Sequence, residues 1–165
     1  DSAGKLFEQG KIFLPQLIQT ASVAQAAFEV IKTTLIERNA APVSRGEIVL
    51  ATVKGDIHDI GKNIVRVLLE NYGYTVLDLG RDVPCQLVAD TAKEHGVKLV
   101  GLSALMTTTL GAMEETIQLV KASCPDCKIV VGGAVLTADY AEKIGADYYA
   151  KDAMETVAVA KEVVG

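Results

Sequence analysis

The sequence predicts an α/β fold built on a five-stranded parallel sheet. From Glu47 onward, short runs rich in β-branched residues alternate five times with apolar patterns of helical spacing. Parallel strands joined by right-handed helical crossovers form an open sheet that helices cover on both faces. The five-stranded version of this Rossmann-like (flavodoxin-like) arrangement has the strand order 2-1-3-4-5, and we expect that order here.

Apolar residues at mostly helical spacing also occupy residues 1–41, ahead of the first strand. They predict helices over residues 4–9 and 15–38. A helical pair with so much apolar surface needs cover from the sheet domain, from a partner or from preceding helices, and we favour preceding helices. Pro42 ends the second helix and opens a linker, residues 42–46, before the sheet domain of residues 47–165.

The five strands are predicted from their β-branched runs and from the turn residues that bound them. They cover residues 48–53, 75–79, 99–103, 128–131 and 147–149. Helices of about 10 to 14 residues are expected between them.

Composition and charge restrict the function classes. The chain has 165 residues, half of them apolar, and a formal net charge of -5 without a cluster of basic residues. Phosphate backbones bind clustered cations, so nucleic acid is not an expected partner. No window approaches the roughly 18 apolar residues of a membrane span, and a cytoplasmic location is expected. Three cysteines do not suggest a secreted disulfide framework.

The most unusual segment is residues 55–63, which connects the first strand to the first helix. It contains Asp56, His58, Asp59 and Gly61 within seven residues. An imidazole can offer one ring nitrogen to a metal while the other donates to a carboxylate such as Asp56, which fixes its tautomer and orientation. This pattern indicates a metal-ligand loop. A solvated turn, in which Asp and Gly supply only backbone geometry, is the alternative.

Two further loops are expected to meet this segment at the carboxyl ends of the strands. Residues 103–109 follow the third strand, and Gly132, Gly133 and Ala134 follow the fourth. Small and hydroxyl-bearing residues there let a bulky group approach the backbone, which predicts a ligand site at the switch between strands 1 and 3. The alternatives are a helix N-cap at Thr108 or Thr109 and a tight turn at the two glycines.

Two other motifs are given structural interpretations. The Cys124-Pro125-Asp126-Cys127 turn could be a redox pair or half of a zinc site, but Cys85 belongs to a different helix and no second pair exists. We expect a structural connection. His95 ends a predicted helix and is expected to face solvent and complement the helix dipole.

Together, these motifs carry a resemblance that covers essentially the whole chain. Asp56-x-His58-x-x-Gly61, Ser103-x-Leu105 and Gly132-Gly133 closely resemble the cobalamin-binding domain shared by methionine synthase and the corrinoid proteins of methyltransferase systems. Residues 4–16 look like the last part of the helical cap that precedes this domain in the family. Residues 1–41 would then be the C-terminal part of the cap.

The resemblance implies base-off, His-on binding, in which His58 replaces the corrinoid's own benzimidazole as the lower axial ligand of cobalt. Asp56 would hydrogen-bond to His58, and Thr109 takes the place of a relay serine. Phe7, Leu14 and Leu17 would cover the upper face of the corrin ring. The remaining cofactor-binding residues implied by the resemblance are Asp59, Ile60, Gly61, Ser103, Leu105, Thr107, Gly132, Gly133 and Ala134.

The resemblance further implies a corrinoid methyl carrier loaded with methylcobalamin, since nothing in the chain resembles a zinc-thiolate site or a folate barrel. Its partners would be a substrate methyltransferase, an acceptor methyltransferase of the folate or thiol type, and a reductive activase. The alternatives are a cobalamin module of methionine synthase, an adenosylcobalamin mutase domain and a cobalamin-dependent sensor. An end at Gly165, soon after the fifth helix, is expected for a free-standing carrier.

Overall fold

The computed structural model describes residues 44–165 and ten positions ahead of them. These ten are Leu6, Phe7, Gln9, Gly10, Lys11, Phe13, Pro15, Gln16, Gln19 and Val23. The predicted N-terminal helices lie mostly outside the described residues, as do residues 42 and 43 of the predicted linker. No helix in the described part is long and apolar enough to cross a membrane.

Five parallel strands form a single sheet. They are β1 (Glu47–Thr52), β2 (Thr75–Asp78), β3 (Leu99–Ser103), β4 (Lys128–Gly132) and β5 (Tyr148–Tyr149). Their order is β2-β1-β3-β4-β5, with every neighbouring pair parallel. The predicted order is therefore confirmed. The bounds of β3 match the prediction, β1 is shifted by one residue at both ends, and the other three strands differ by one residue at one end.

Helices connect the strands in the predicted alternation. They are α1 (Ile60–Asn71), α2 (Cys85–His95), α3 (Leu110–Ser123), α4 (Ala138–Lys143) and α5 (Ala153–Val163), with a 3-10 turn at Thr107–Thr109 before α3.

The expected length of 10 to 14 residues is wrong for α4, which has six. Thr137 caps its start by accepting a hydrogen bond from the amide of Tyr140. After Ile144, Gly145 adopts a φ of +83°, a left-handed conformation that turns the chain toward β5.

The two faces of the sheet bury separate apolar clusters because successive strand residues point to opposite sides. One cluster combines Val49, Val100 and Val131 with α2, α3 and α4. The other combines Ile48 and Leu99 with α1 and α5. Helices therefore cover both faces, as expected for parallel strands.

On the face that carries α1 and α5, the side chains become smaller toward the carboxyl ends of the strands. Near the amino ends it presents large side chains such as Ile48 and Leu99, which fill the space under the helices. Toward the carboxyl ends, the same alternation places Gly101, Ser103 and Gly132 on this face. These small residues leave the space between α1 and α5 unfilled, which opens a groove at the carboxyl edge of the sheet.

Candidate functional site

A groove of about 900 Å³ opens at the carboxyl ends of β1, β3 and β4. Its buried lining is largely aliphatic, with Leu50, Leu68 and Val130 among the buried contributors. Its exposed lining includes His58 and Arg81. The groove thus has an apolar floor and a mouth at which an imidazole stands, which suits a large, partly apolar ligand.

The loop that follows β1 brings His58 and Asp56 into direct contact. Nδ1 of His58 lies 2.8 Å from Oδ1 of Asp56, and the backbone amide of His58 donates to the same oxygen at 3.0 Å. Asp56 is fully buried, whereas the His58 side chain is 45% exposed. The carboxylate therefore anchors the imidazole from the protein side and leaves the ring accessible.

The second carboxylate oxygen of Asp56 is held by the loop that follows β3. Oδ2 accepts hydrogen bonds from the backbone amides of Leu105 at 2.7 Å and Met106 at 3.2 Å. Burial alone would raise the pKa of Asp56, but the donated hydrogen bonds from His58, Leu105 and Met106 more than offset it and hold that pKa well below its usual range. Asp56 is therefore an ionised acceptor.

The ionisation of Asp56 assigns the tautomer of His58. A carboxylate can only accept, so Nδ1 of the neutral imidazole carries the proton and donates it to Oδ1. Nε2 then holds the free lone pair, and no described residue hydrogen-bonds to it. This is the arrangement of a histidine prepared to bind a metal through Nε2.

Thr109 is the third member of this group. Its hydroxyl lies 3.2 Å from Oδ2 of Asp56 and 2.8 Å from the carbonyl oxygen of Met106, and its single proton is shared between these two acceptors. Thr109 occupies the N-cap position of α3, but its side chain makes no capping hydrogen bond. The side-chain capping interpretation is wrong for Thr109, because its hydroxyl oxygen accepts no hydrogen bond from the first amides of α3.

Exposed apolar side chains lie in or next to the two loops that hold His58 and Asp56. Ile57, Ile60, Leu105 and Met106 are 60%, 78%, 42% and 37% exposed. Exposed large apolar side chains in neighbouring loops indicate a binding surface.

The last residue of β4, Gly132, and the next residue, Gly133, keep neighbouring loops close together. Gly133 adopts a φ of +139°, and a Cβ built on it would lie 1.8 Å from the carbonyl oxygen of Ala104. A Cβ on Gly132 would lie 3.0 Å from the carbonyl oxygen of Ala150. Backbone atoms therefore exclude a side chain at Gly133 and crowd one at Gly132, so the glycines do more than form a tight turn.

Gly61 differs from these two glycines. It lies in the first turn of α1, and a Cβ built on it meets no atom within 4 Å. The space beside it belongs to the groove. Its lack of a side chain therefore keeps the groove open.

Most of the predicted cofactor-binding residues line the groove. They are Phe7, His58, Asp59, Ile60, Gly61, Ser103, Leu105, Gly132, Gly133 and Ala134. Thr107 is exposed in the 3-10 turn and is not among the lining residues. Leu14 and Leu17 lie outside the described residues.

Sequence reasoning missed a buried cation beside the groove. Lys62 is only 4% exposed, and its ammonium group donates to Asp78 and, at 3.3 Å, to Asn63. Burial raises the pKa of Asp78, but the hydrogen bonds from Lys62 and the Gly80 amide outweigh it and keep that pKa below its usual value. Lys62 stands one residue after Gly61, and its burial could not be inferred because lysine is usually exposed.

The start of α5 also lines the groove and was missed. Lys151, Asp152 and Met154 contribute to this wall. The carboxylate of Asp152 caps the helix by accepting from the amides of Met154 and Glu155. An aspartate before a helical run is an N-cap signal, but nothing in it indicates a groove.

The cysteine turn and His95 lie apart from the groove. Burial, together with the neighbouring Cys124 thiol, raises the pKa of the Cys127 thiol to about 12, so this thiol stays protonated. That state fits a structural turn. His95 is the last residue of α2 and contacts Glu47 at 3.0 Å through Nδ1. The described residues contain no group of three or more His, Cys, Asp or Glu that could hold a metal ion by themselves.

Comparison with known proteins agrees with this geometry. A family model described as B12 binding domain matches residues 46–158, and a second model with the same description matches residues 1–32. Dimethylamine corrinoid protein 1 of Methanosarcina acetivorans is 45% identical, over 99% of this chain and 78% of its own length.

Two solved structures are similar throughout the chain. A cobalamin-binding protein from Desulfitobacterium hafniense DCB-2 has a TM-score of 0.81 and 36% identity, over 98% of this chain and 76% of its own. The methanol:cobalamin methyltransferase complex MtaBC from Methanosarcina barkeri has a TM-score of 0.85 and 32% identity, over 97% of this chain and 61% of its own.

Proposed function

The chain belongs to the B12-binding domain family, and on this premise we propose that it is a methyl-carrier corrinoid protein that binds its cofactor base-off with His58 on cobalt. The cofactor is cobalamin or a related corrinoid. When bound, the corrinoid supplies a cobalt centre that accepts and releases a methyl group. The chain supplies ligation, orientation and shielding.

The observation that carries the proposal is the contact between Asp56 and His58. The buried carboxylate accepts from Nδ1 at 2.8 Å and so directs the free lone pair of His58 to Nε2. Without this contact, the imidazole could rotate or exchange tautomers, and a ligand offered by Nε2 would be available for only part of the time. His58 is therefore the proposed metal ligand, and Asp56 the residue that orients it.

The groove supports the base-off form. A benzimidazole tail displaced from cobalt needs a channel beside the ligand histidine, and the groove has an aliphatic floor at Leu50 and Val130. Gly61 leaves room at its side, since a Cβ built there meets no atom within 4 Å. We propose that the tail enters between α1 and α5, with Ser103 and Leu105 at the entrance.

The N-terminal residues are assigned to a cap. Residues 1–41 would form its C-terminal part, residues 42–46 a linker and residues 47–165 the cobalamin-binding domain. Phe7 lines the groove, which supports a place for this segment near the cofactor. Leu14 and Leu17 are proposed to act with Phe7 in covering the upper face of the corrin ring.

The proposed partners follow from the carrier role. The named relatives are corrinoid proteins of methylamine and methanol systems, which favours a carrier over a module of methionine synthase or a sensor. A substrate methyltransferase would load the methyl group and an acceptor methyltransferase, with a folate-type or thiol acceptor, would remove it. A reductive activase would restore the reduced cofactor.

The ligation can be tested by reconstitution with cobalamin and by electron paramagnetic resonance of the Co(II) form. We expect coupling to one nitrogen, and this coupling should persist when the corrinoid's benzimidazole is replaced by a tail without a basic nitrogen. It should disappear in His58→Ala. If the coupling depends on the tail nitrogen and not on His58, binding is base-on and the proposal is wrong.

A further inference from the structure

Asp82 lies in the loop between β2 and α2 and has an unusual backbone. Its φ is +53°, and no other non-glycine residue in the described part of the chain has a positive φ. Most side chains avoid this left-handed region, although aspartate and asparagine tolerate it. A conformation of this kind persists where surrounding contacts impose it.

The partners of Asp82 belong to the ligand loop. Oδ1 of Asp82 accepts from the backbone amide of Gly55 at 2.7 Å, and the backbone amide of Asp82 donates to the carbonyl oxygen of Asp56 at 2.9 Å. The next residue, Val83, continues this contact by bridging Val53. Asp82 thus holds the backbone on both sides of the peptide bond that leads into Asp56.

We propose that Asp82 is a positioning residue that sets the ligand loop so that Asp56 can orient His58. Two loops hold different parts of Asp56. The β3–α3 loop holds the Asp56 carboxylate through the amides of Leu105 and Met106, and Asp82 holds the Asp56 backbone from the β2–α2 loop. Asp82 itself is not among the residues that line the groove, so it acts through the loop.

The inference rests on the proposed function, since the loop has to be positioned for a ligand histidine. A purely structural role for Asp82 makes a different prediction. Glycine adopts a φ of +53° without steric strain. Asp82→Gly therefore relieves the strain of this backbone conformation while removing the acceptor for the Gly55 amide. Asp82→Asn keeps both a tolerated conformation and an amide oxygen that can accept. This pair of variants separates the hydrogen bond from the backbone geometry.

The first measurement uses the protein without corrinoid. Amide hydrogen exchange by NMR should show faster exchange at Gly55 in Asp82→Gly than in the parent, and near-parental exchange in Asp82→Asn. The unfolding midpoint of Asp82→Gly should equal or exceed that of the parent. Asp126→Gly is the matched control, because Asp126 is an exposed aspartate in the turn before β4, at the opposite end of the strands.

The second measurement uses the protein loaded with cobalamin in the Co(II) state. Asp82→Gly should weaken corrinoid binding about three- to tenfold, less than the roughly 10- to 100-fold typical of groups that touch the ligand histidine directly. It should also lower the fraction of cobalt that shows histidine nitrogen coupling. Asp82→Asn should restore most of both properties, and Asp126→Gly should change neither.

Parental exchange at Gly55 together with parental binding in Asp82→Gly would overturn the inference, as would an Asp82→Asn variant that is as defective as Asp82→Gly. Failure of the proposed function has a different signature. In that case the parent protein itself lacks histidine coupling, and the exchange at Gly55 alone decides whether Asp82 holds the loop.

Discussion

Replacing Asp56 by asparagine should reverse the tautomer of His58 while leaving the fold intact. The Asp56 carboxylate now accepts on both oxygens: Oδ1 faces the His58 amide and Nδ1, and Oδ2 faces the amides of Leu105 and Met106 and the hydroxyl of Thr109. An asparagine has one accepting oxygen and one donating amino group, so one of these two sets must face a donor.

The number of donors decides the orientation of the new side chain. An amino group at the Oδ2 position would face three donors at 2.7 to 3.2 Å, whereas at the Oδ1 position it faces the backbone amide of His58 and the ring nitrogen. The second orientation leaves one conflict between donors, which costs about 1–3 kcal/mol of folding stability. It also makes Nδ1 an acceptor, so the imidazole proton moves to Nε2.

Metal binding should then weaken, because a protonated Nε2 has no lone pair to offer. Loss of the partner of a metal-ligating histidine typically costs about 10- to 100-fold in affinity, and we expect an effect of that size for the corrinoid. A triad histidine whose orienting aspartate becomes asparagine fails for the same tautomeric reason.

The assay is nitrogen-15 NMR of the imidazoles in the protein without corrinoid, at a pH of about 9, where an unperturbed imidazole is neutral. The chain has two histidines, so a His95→Gln background leaves His58 as the observed ring. Thr109→Val is the matched control, since it removes one donor to Asp56 without reversing any polarity. A proton on Nε2 in the parent, or on Nδ1 in Asp56→Asn, would refute the reasoning.

Four further predictions use the same protein. The folded state holds the pKa of Asp56 below its usual range. The stabilisation that ionised Asp56 provides is therefore complete above the unfolded pKa of about 3.9 and is lost as pH falls through the folded pKa. In urea unfolding, the free energy of unfolding of the parent should approach that of Asp56→Asn only in strong acid. A difference in the free energy of unfolding that stays constant with pH would contradict this prediction. Gly61→Leu should keep a parental circular dichroism spectrum and lose corrinoid binding, and unchanged binding would show that the tail passes elsewhere. Phe7→Ala should bind corrinoid but speed photolysis of the methyl–cobalt bond, and equal rates would mean that Phe7 packs elsewhere. Gly101→Ala should cost about 1–3 kcal/mol in urea unfolding, because its Cβ lies 2.5 Å from Cδ2 of Leu50, and a parental midpoint would show that Leu50 relaxes freely.

The sheet could be predicted because its strands have a recognisable residue pattern. β1, β3 and β4 are buried on both faces and have mostly apolar sequences, and the connection rules then leave few strand orders. The length of α4 could not be predicted in the same way. Its end depends on a left-handed Gly145 and on how soon the chain must reach β5, and both are properties of the assembled sheet.

The candidate site also contains residues that could be predicted from the sequence and contacts that could not. Asp56, His58 and Thr109 were predicted because the resemblance names their side chains, and the structure brings them together. The amides of Leu105 and Met106, which hold the Asp56 carboxylate most directly, were not predicted. Every residue except proline has a backbone amide, so a site built from amides leaves no signature in residue type.

Asp82 was missed for a related reason. It stands between Arg81 and Val83 in a short loop, and an aspartate in a loop is ordinary. What distinguishes it is its left-handed backbone and its contact with Gly55, a residue 27 positions away in the chain. Neither property can be inferred without the pairing of β1 with β2, which brings the two loops together.

The order of the strands explains how the loop after β1 can hold Asp56 and His58 from two sides. β1 lies between β2 and β3, so the loop after it has a neighbouring loop on each side, and both contribute hydrogen bonds to Asp56. The helices α1 and α3 leave β1 and β3 toward opposite faces of the sheet, which opens the edge between these two strands. A ligand group placed there is held from both sides and still faces open space. An edge strand such as β5 has only one neighbour, so a histidine in its loop could be held from one side alone.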